Sequence, residues 1–166
     1  HGKPLVPAAD FLLELQDGVN TAAADRALSL FYTAAAGLLR QGTVCRVSFM
    51  PSEESFNTRL LTAENDLIPC MDALLSLPGL APWSILDRRV KARQLASGGH
   101  LVCIFAGIDR RLIDPKDARQ RIEAVLPCCR YDLVTVFCED CPDDLREELS
   151  KIGCRVLPLQ EAAEEW

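Results

Sequence analysis

The sequence predicts an α/β fold of three layers, with helices on both faces of a doubly wound, mostly parallel sheet of strand order 3-2-1-4-5-6 and one antiparallel edge strand. Three observations predict it. Short apolar runs rich in Val, Leu, Ile and Phe, bounded by turn residues, read as buried strands. Between them lie segments whose apolar residues recur at helical spacing. One pair of runs is joined too closely for a parallel crossover, which takes a dozen or more residues, so its second member must return antiparallel.

Taken in order, residues 11–15 of ADFLLELQDG form the first strand. A polar loop with Gln16, Asp17, Gly18, Asn20 and Thr21 leads into a helix on which Leu28, Phe31, Ala35 and Leu38 share a face. Residues 44–50 form the second strand and 55–61 the antiparallel edge; Leu67, Cys70, Met71 and Leu74 then mark a second helix. Pro78, Gly79 and Pro82 break the chain before WSILDRRVKARQLA, read as a helix whose Arg88, Arg89, Lys91 and Arg93 could dock an acidic partner, although a basic run on a helix is usually just a solvated face. The fourth strand is placed at 101–108. Asp114 with Pro115 after it reads as an N-cap and first helical residue, opening a helix that carries Ala118, Ile122 and Val125. After a fifth strand at 132–138, Cys141-Pro142-Asp143-Asp144 starts a helix with acidic groups near its positive end and with Leu145, Leu149 and Ile152 on one face. Gly153 closes it and 154–158 supplies the last strand.

A chain of 166 residues suits a single domain with a substantial core. Its 18 basic against 24 acidic residues argue against a broad nucleic-acid-binding face, which needs clustered Lys and Arg. No run approaches about 18 consecutive apolar residues and the start lacks the layout of a signal peptide, so the expectation is a soluble domain that does not itself enter a membrane. Eight cysteines suggest disulfides, yet Cys45 and Cys103 lie inside strand-like runs as small buried hydrophobes, which points to a reducing, cytoplasmic setting.

In the predicted strand order the chain reverses direction between the first and fourth strands, so loops 16–21 and 107–111 are expected to meet at one crevice. No glycine-rich phosphate loop follows a strand. The two histidines are His1 and His100, the latter at the start of the fourth strand on the edge opposite that crevice, which leaves a histidine base poorly placed.

The segments GKPLVPAADFLLELQDG, RALSLFYTAAAGLLRQGTVCRVSF, LLTAENDLIPCMDALLSLPG and HLVCIFAGIDRRLI together resemble a von Willebrand factor A domain, and more narrowly the version that ends a bacterial family of unknown function. The resemblance is one of pattern over nearly the whole chain. It implies a C-terminal piece of a membrane-attached protein, facing the cytoplasm, working beside a MoxR-type AAA+ ATPase and acting by binding other proteins.

Such domains often hold Mg²⁺ in a D-x-S-x-S loop completed by a Thr and by an Asp ending the fourth strand, because Mg²⁺ demands hard oxygen ligands in octahedral array. Here the motif fails. Starting at Gln16 it reads Gln-Asp-Gly-Val-Asn, starting at Asp17 it reads Asp-Gly-Val-Asn-Thr, and the fourth strand's acidic position falls on Ala106. Thr62 stands at the Thr position, or is simply the N-cap of the helix begun by AENDL. Asp109 is the residue best placed to rescue a cation. The resulting expectation is a noncatalytic module without cofactor or metal, whose binding face comprises Gln16, Asp17, Asn20, Thr21, Thr62 and Asp109. The plainer reading has Asp17 and Asn20 merely turning the chain into its helix.

An alternative is a thiol redox or zinc-binding domain using Cys138 and Cys141 of VFCEDCPDDL, a C-x-x-C pair at a helix start. Glu139, Asp140, Asp143 and Asp144 crowd that pair with charge that opposes a thiolate. Zinc shared with Cys128 and Cys129 would need adjacent cysteines to aim both sulfurs at one ion.

Overall fold

A computed structural model of the chain describes residues 7–15, 21–52, 55–77, 85–86, 99–106, 114–126, 131–138 and 142–159. In chain order the elements are β1 (Ala9–Glu14), α1 (Thr21–Arg40), β2 (Cys45–Ser52), β3 (Ser55–Leu61), a 3₁₀ turn (Glu64–Asp66) and α2 (Leu67–Leu75). They continue with β4 (His100–Phe105), α3 (Pro115–Val125), β5 (Leu133–Cys138), α4 (Asp143–Ser150) and β6 (Cys154–Pro158). The strands form one sheet in the order β3-β2-β1-β4-β5-β6. Every pairing is parallel except β2 with β3, whose short connection leaves no room for a crossover.

The period-2 alternation of side chains assigns each strand residue to one of two helical layers. Phe11 and Leu13 of β1 join Val47, Val102 and Ile104 beneath α1 and α2, whose Phe31, Ala35, Leu67, Cys70 and Leu74 are buried there. Phe11 meets Phe31 edge to face, with centroids 5.2 Å apart at 83°. Leu12 points the other way, to Cys103, Phe105 and Val136, a layer closed by Ala118, Ile122 and Val125 of α3 and Leu145 and Leu149 of α4. Ile85 and Leu86, helical and buried, join this second layer. The rest of WSILDRRVKARQLA, with Arg88, Arg89, Lys91 and Arg93, lies outside the described residues.

Punctuation follows local chemistry. Asp114 accepts the Lys116 N–H in front of Pro115, capping α3. Gly42 and Gly153 take positive φ (79° and 81°) just past α1 and α4, a conformation that favours glycine. Ile152 lies in the turn beyond α4 and is half-buried. β2 continues to Ser52, past its expected end, because a register shift between Phe49 and Ser52 accommodates Pro51, which has no N–H to give a ladder.

The largest departure from expectation is at β1. The strand begins at Ala9 and ends at Glu14, so Asp10 is drawn into the core with no exposed surface. A buried carboxylate is tolerated only when paired and hydrogen-bonded. Arg46 of β2 grips both its oxygens, Nε to Oδ1 at 3.2 Å and Nη2 to Oδ2 at 2.6 Å, and the Tyr131 hydroxyl donates to Oδ2 at 2.7 Å. Among the described residues no helix is long and apolar enough to cross a membrane.

Candidate functional site

β1 is the central strand where the chain reverses. It pairs in parallel with β2 on one side and with β4 on the other, bringing Ala9 opposite Cys45 and His100, and Glu14 opposite Phe105. The carboxyl ends of β1 and β4 are therefore adjacent, and the Ala106 N–H donates to the Glu14 carbonyl at 3.0 Å. From β1 the chain proceeds to α1 on one face; from β4 it proceeds to α3 on the other. That divergence is the switch point at which doubly wound sheets bind ligands.

The loop residues expected to line this point, Gln16, Asp17, Asn20 and Asp109, lie outside the described residues, and Thr21 is described only as the first residue of α1. What the structure does describe at the switch point is Glu14, the last residue of β1. The residue is 4% exposed, and its Oε2 accepts the Ile85 backbone N–H at 2.9 Å. Reading the strand through residue 15 passes over this carboxylate. Asp10, Leu12 and Glu14 share one face by alternation, so an acid at the end of that series was the available signal.

Thr62 does not join this face. β3 runs antiparallel and pairs its Leu61 with Cys45, the first residue of β2, so Thr62 emerges at the opposite edge of the sheet. The length of β1, about 16 Å of strand, separates the two edges. Nor is Thr62 the helix cap. The Asp66 carboxylate reaches back instead, accepting the N–H groups of Thr62 at 2.9 Å and Ala63 at 3.1 Å and the Thr62 hydroxyl at 3.1 Å. These bonds hold the Asp66 carboxyl below its usual pKa, the Thr62 N–H contributing most.

Glu14 is turned onto the Ile85 amide, the Thr62 hydroxyl is at the far edge, and Ala106 offers no side-chain ligand. Among the described residues no three His, Cys, Asp or Glu side chains are grouped so as to hold a metal ion.

Cys138 ends β5 with no exposed surface, in the layer of α3 and α4. Cys128, Cys129 and Cys141 lie outside the described residues. Cys45, Cys70, Cys103 and Cys154 are buried free thiols. Burial pushes Cys45 up to about 12 and Cys70 and Cys154 up to about 11, and drives Cys103 well above the ordinary value. His100 sits at the start of β4 with Nε2 2.8 Å from the Thr135 hydroxyl, and burial followed by the Arg155 charge lowers its pKa.

No family model matches the chain, and no curated protein sequence matches it.

Proposed function

We propose that this chain is a noncatalytic protein-binding module of the von Willebrand factor A type, with a degenerate metal loop, and that its binding face lies at the carboxyl ends of β1 and β4. The observation that supports this reading is the strand order with its antiparallel β3 edge, which brings those two ends together as the chain departs to opposite layers. Gln16, Asp17, Asn20, Thr21 and Asp109 belong to the segments that leave this point; Thr62 is dropped from the face. In this reading the module is the cytoplasmic end of a membrane-attached protein, and a MoxR-type AAA+ ATPase is its protein partner. The buried Cys138 thiol gives the redox alternative no support, since thiol chemistry requires an accessible, low-pKa sulfur.

Two measurements test the proposal. Asp17→Lys and Asp109→Lys should each weaken binding of a purified MoxR-type ATPase encoded beside the parent gene; binding unchanged in both variants would refute the assigned face. Millimolar Mg²⁺ should leave the melting temperature unmoved. A site filled at 100 times its Kd adds about 2.7 kcal/mol, or about 5–11 °C for a domain of this size, and a rise of that order would refute the degenerate loop.

A further inference from the structure

Helix α2 is apolar on both sides. Leu67, Cys70 and Leu74 enter the core, while Ile68 and Leu75 stand 66% and 67% exposed on the other side. Seven residues separate these two, which places them two turns apart on one side of the helix, about 10 Å along its axis. Beside them α1 presents Tyr32, 45% exposed. Between the two helices runs an open groove of about 340 Å³ with Leu28, Tyr32, Met71 and Leu75 as its apolar surface and Asp25, Ser29 and Thr33 along the α1 side. One exposed leucine needs no explanation, whereas large apolar side chains gathered round a groove mark an interaction site.

The charges around the groove select its occupant. Asp25 lines it, and Asp72 stands one turn from both Ile68 and Leu75 on the exposed side of α2. Both are solvent-facing, and neither has an ion-pair partner among the described residues. The neighbouring charges are already engaged: Glu64 pairs with Arg40 at 3.1 Å, and Asp66 holds the backbone before α2. An apolar groove with carboxylates on both helices that are unpaired among the described residues complements an apolar stripe flanked by cations. A second copy of this chain would bring its own Asp25 and Asp72 against these in a twofold contact, so like charges would face each other. An anionic bilayer is repelled for the same reason.

We propose that the α1–α2 groove docks an amphipathic helix of a partner protein that carries large aliphatic side chains at i, i+3 or i+4, and i+7, flanked by Lys or Arg. The inference rests on the reading of the chain as a protein-binding module, but places a second contact on a helical face away from the loops at the β1 and β4 ends.

The test uses the full 166-residue chain and two synthetic helical peptides with the same leucine stripe, one flanked by lysines and one by glutamates. The lysine peptide should bind at least tenfold more tightly, with NMR shift changes centred on Tyr32, Ile68, Met71 and Leu75. Leu75→Asp, or Ile68→Asp should the first variant lose its native melting transition, should weaken it at least tenfold. Asp25→Lys with Asp72→Lys should invert the preference toward the glutamate peptide. Equal affinity for both peptides, shifts centred elsewhere, or no effect of the aspartate variants would overturn the proposal. So would binding to anionic phosphatidylglycerol vesicles without peptide binding, or a concentration-dependent dimer abolished by Leu75→Asp. Because Asp17→Lys and Asp109→Lys leave the groove intact, its failure and the failure of the loop face are read separately.

Discussion

Replacing Arg46 with Met removes the guanidinium that holds both oxygens of Asp10, while keeping a side chain of similar reach in a site only 9% exposed. The Tyr131 hydroxyl still donates to Oδ2, but a neutral hydroxyl does not replace the guanidinium charge beside a carboxylate with no exposed surface. Breaking such a pair by removing one partner costs about 3–5 kcal/mol, a large share of the roughly 5–15 kcal/mol that holds a domain together. With a urea m-value of about 2 kcal/mol/M, the midpoint should fall by about 1.5–2.5 M at unchanged m. The companion variant Asp10→Leu with Arg46→Met removes both charges, and adding Tyr131→Phe removes the hydroxyl that would lose this acceptor. That triple variant should recover most of the loss, since an apolar replacement of a buried pair is often neutral. An Arg46→Met loss below about 1 kcal/mol, or a triple variant less stable than Arg46→Met alone, would refute the claim that losing the Arg46 charge beside buried Asp10 sets the cost.

Other measurements probe different parts of the fold. Native Cys45, Cys70, Cys103 and Cys154 should resist iodoacetamide at pH 8 and react once the chain is unfolded, because burial holds them as neutral thiols; rapid native labelling would contradict this. The folded Cys45 pKa is raised from the ordinary 9 to about 12, so its stabilising contribution is complete below pH 9 and lost as pH rises toward 12. Cys45→Ala should flatten that alkaline fall in the urea midpoint, and an unchanged slope would count against it. Asp66→Ala should cost about 1 kcal/mol, or about 2–4 °C in melting temperature, through the lost cap before α2. Since the folded Asp66 pKa is lowered, the difference between wild type and variant should be present at pH 7 and shrink as pH falls below about 4.

The parts of this structure legible in the sequence are those with a local cause. β3 was readable as an antiparallel edge because connection length alone forbids a crossover, and the Asp114-Pro115 start of α3 is written in adjacent residues. The core faces of α1 and α3 follow from spacing, with Phe31, Ala35, Ala118 and Ile122 all buried as expected. Asp10 was illegible because its burial depends on Arg46 and Tyr131, 36 and 121 residues away, and a lone acid near a strand start reads as a turn. Motif position alone puts Thr62 on the loop face, whereas the reversal of β3 carries it to the other edge. The groove was hidden for a different reason: α2 is so apolar that Ile68 and Leu75 look like core residues until the layer beneath is seen to be filled by Leu67, Cys70 and Leu74.

The position of β1 between β2 and β4 also bears on how the chain reaches this state. The strand gains one neighbour when β2 forms, but its other edge waits for His100, 91 residues after Ala9. At synthesis rates of 5–20 residues per second, about 5–18 s pass before that neighbour leaves the ribosome tunnel in its turn. Throughout that interval an apolar edge of a nascent sheet is open to chaperones or to another copy of itself. A rare-codon pause ahead of residue 100 should therefore lower the yield of native protein more than one placed after β5.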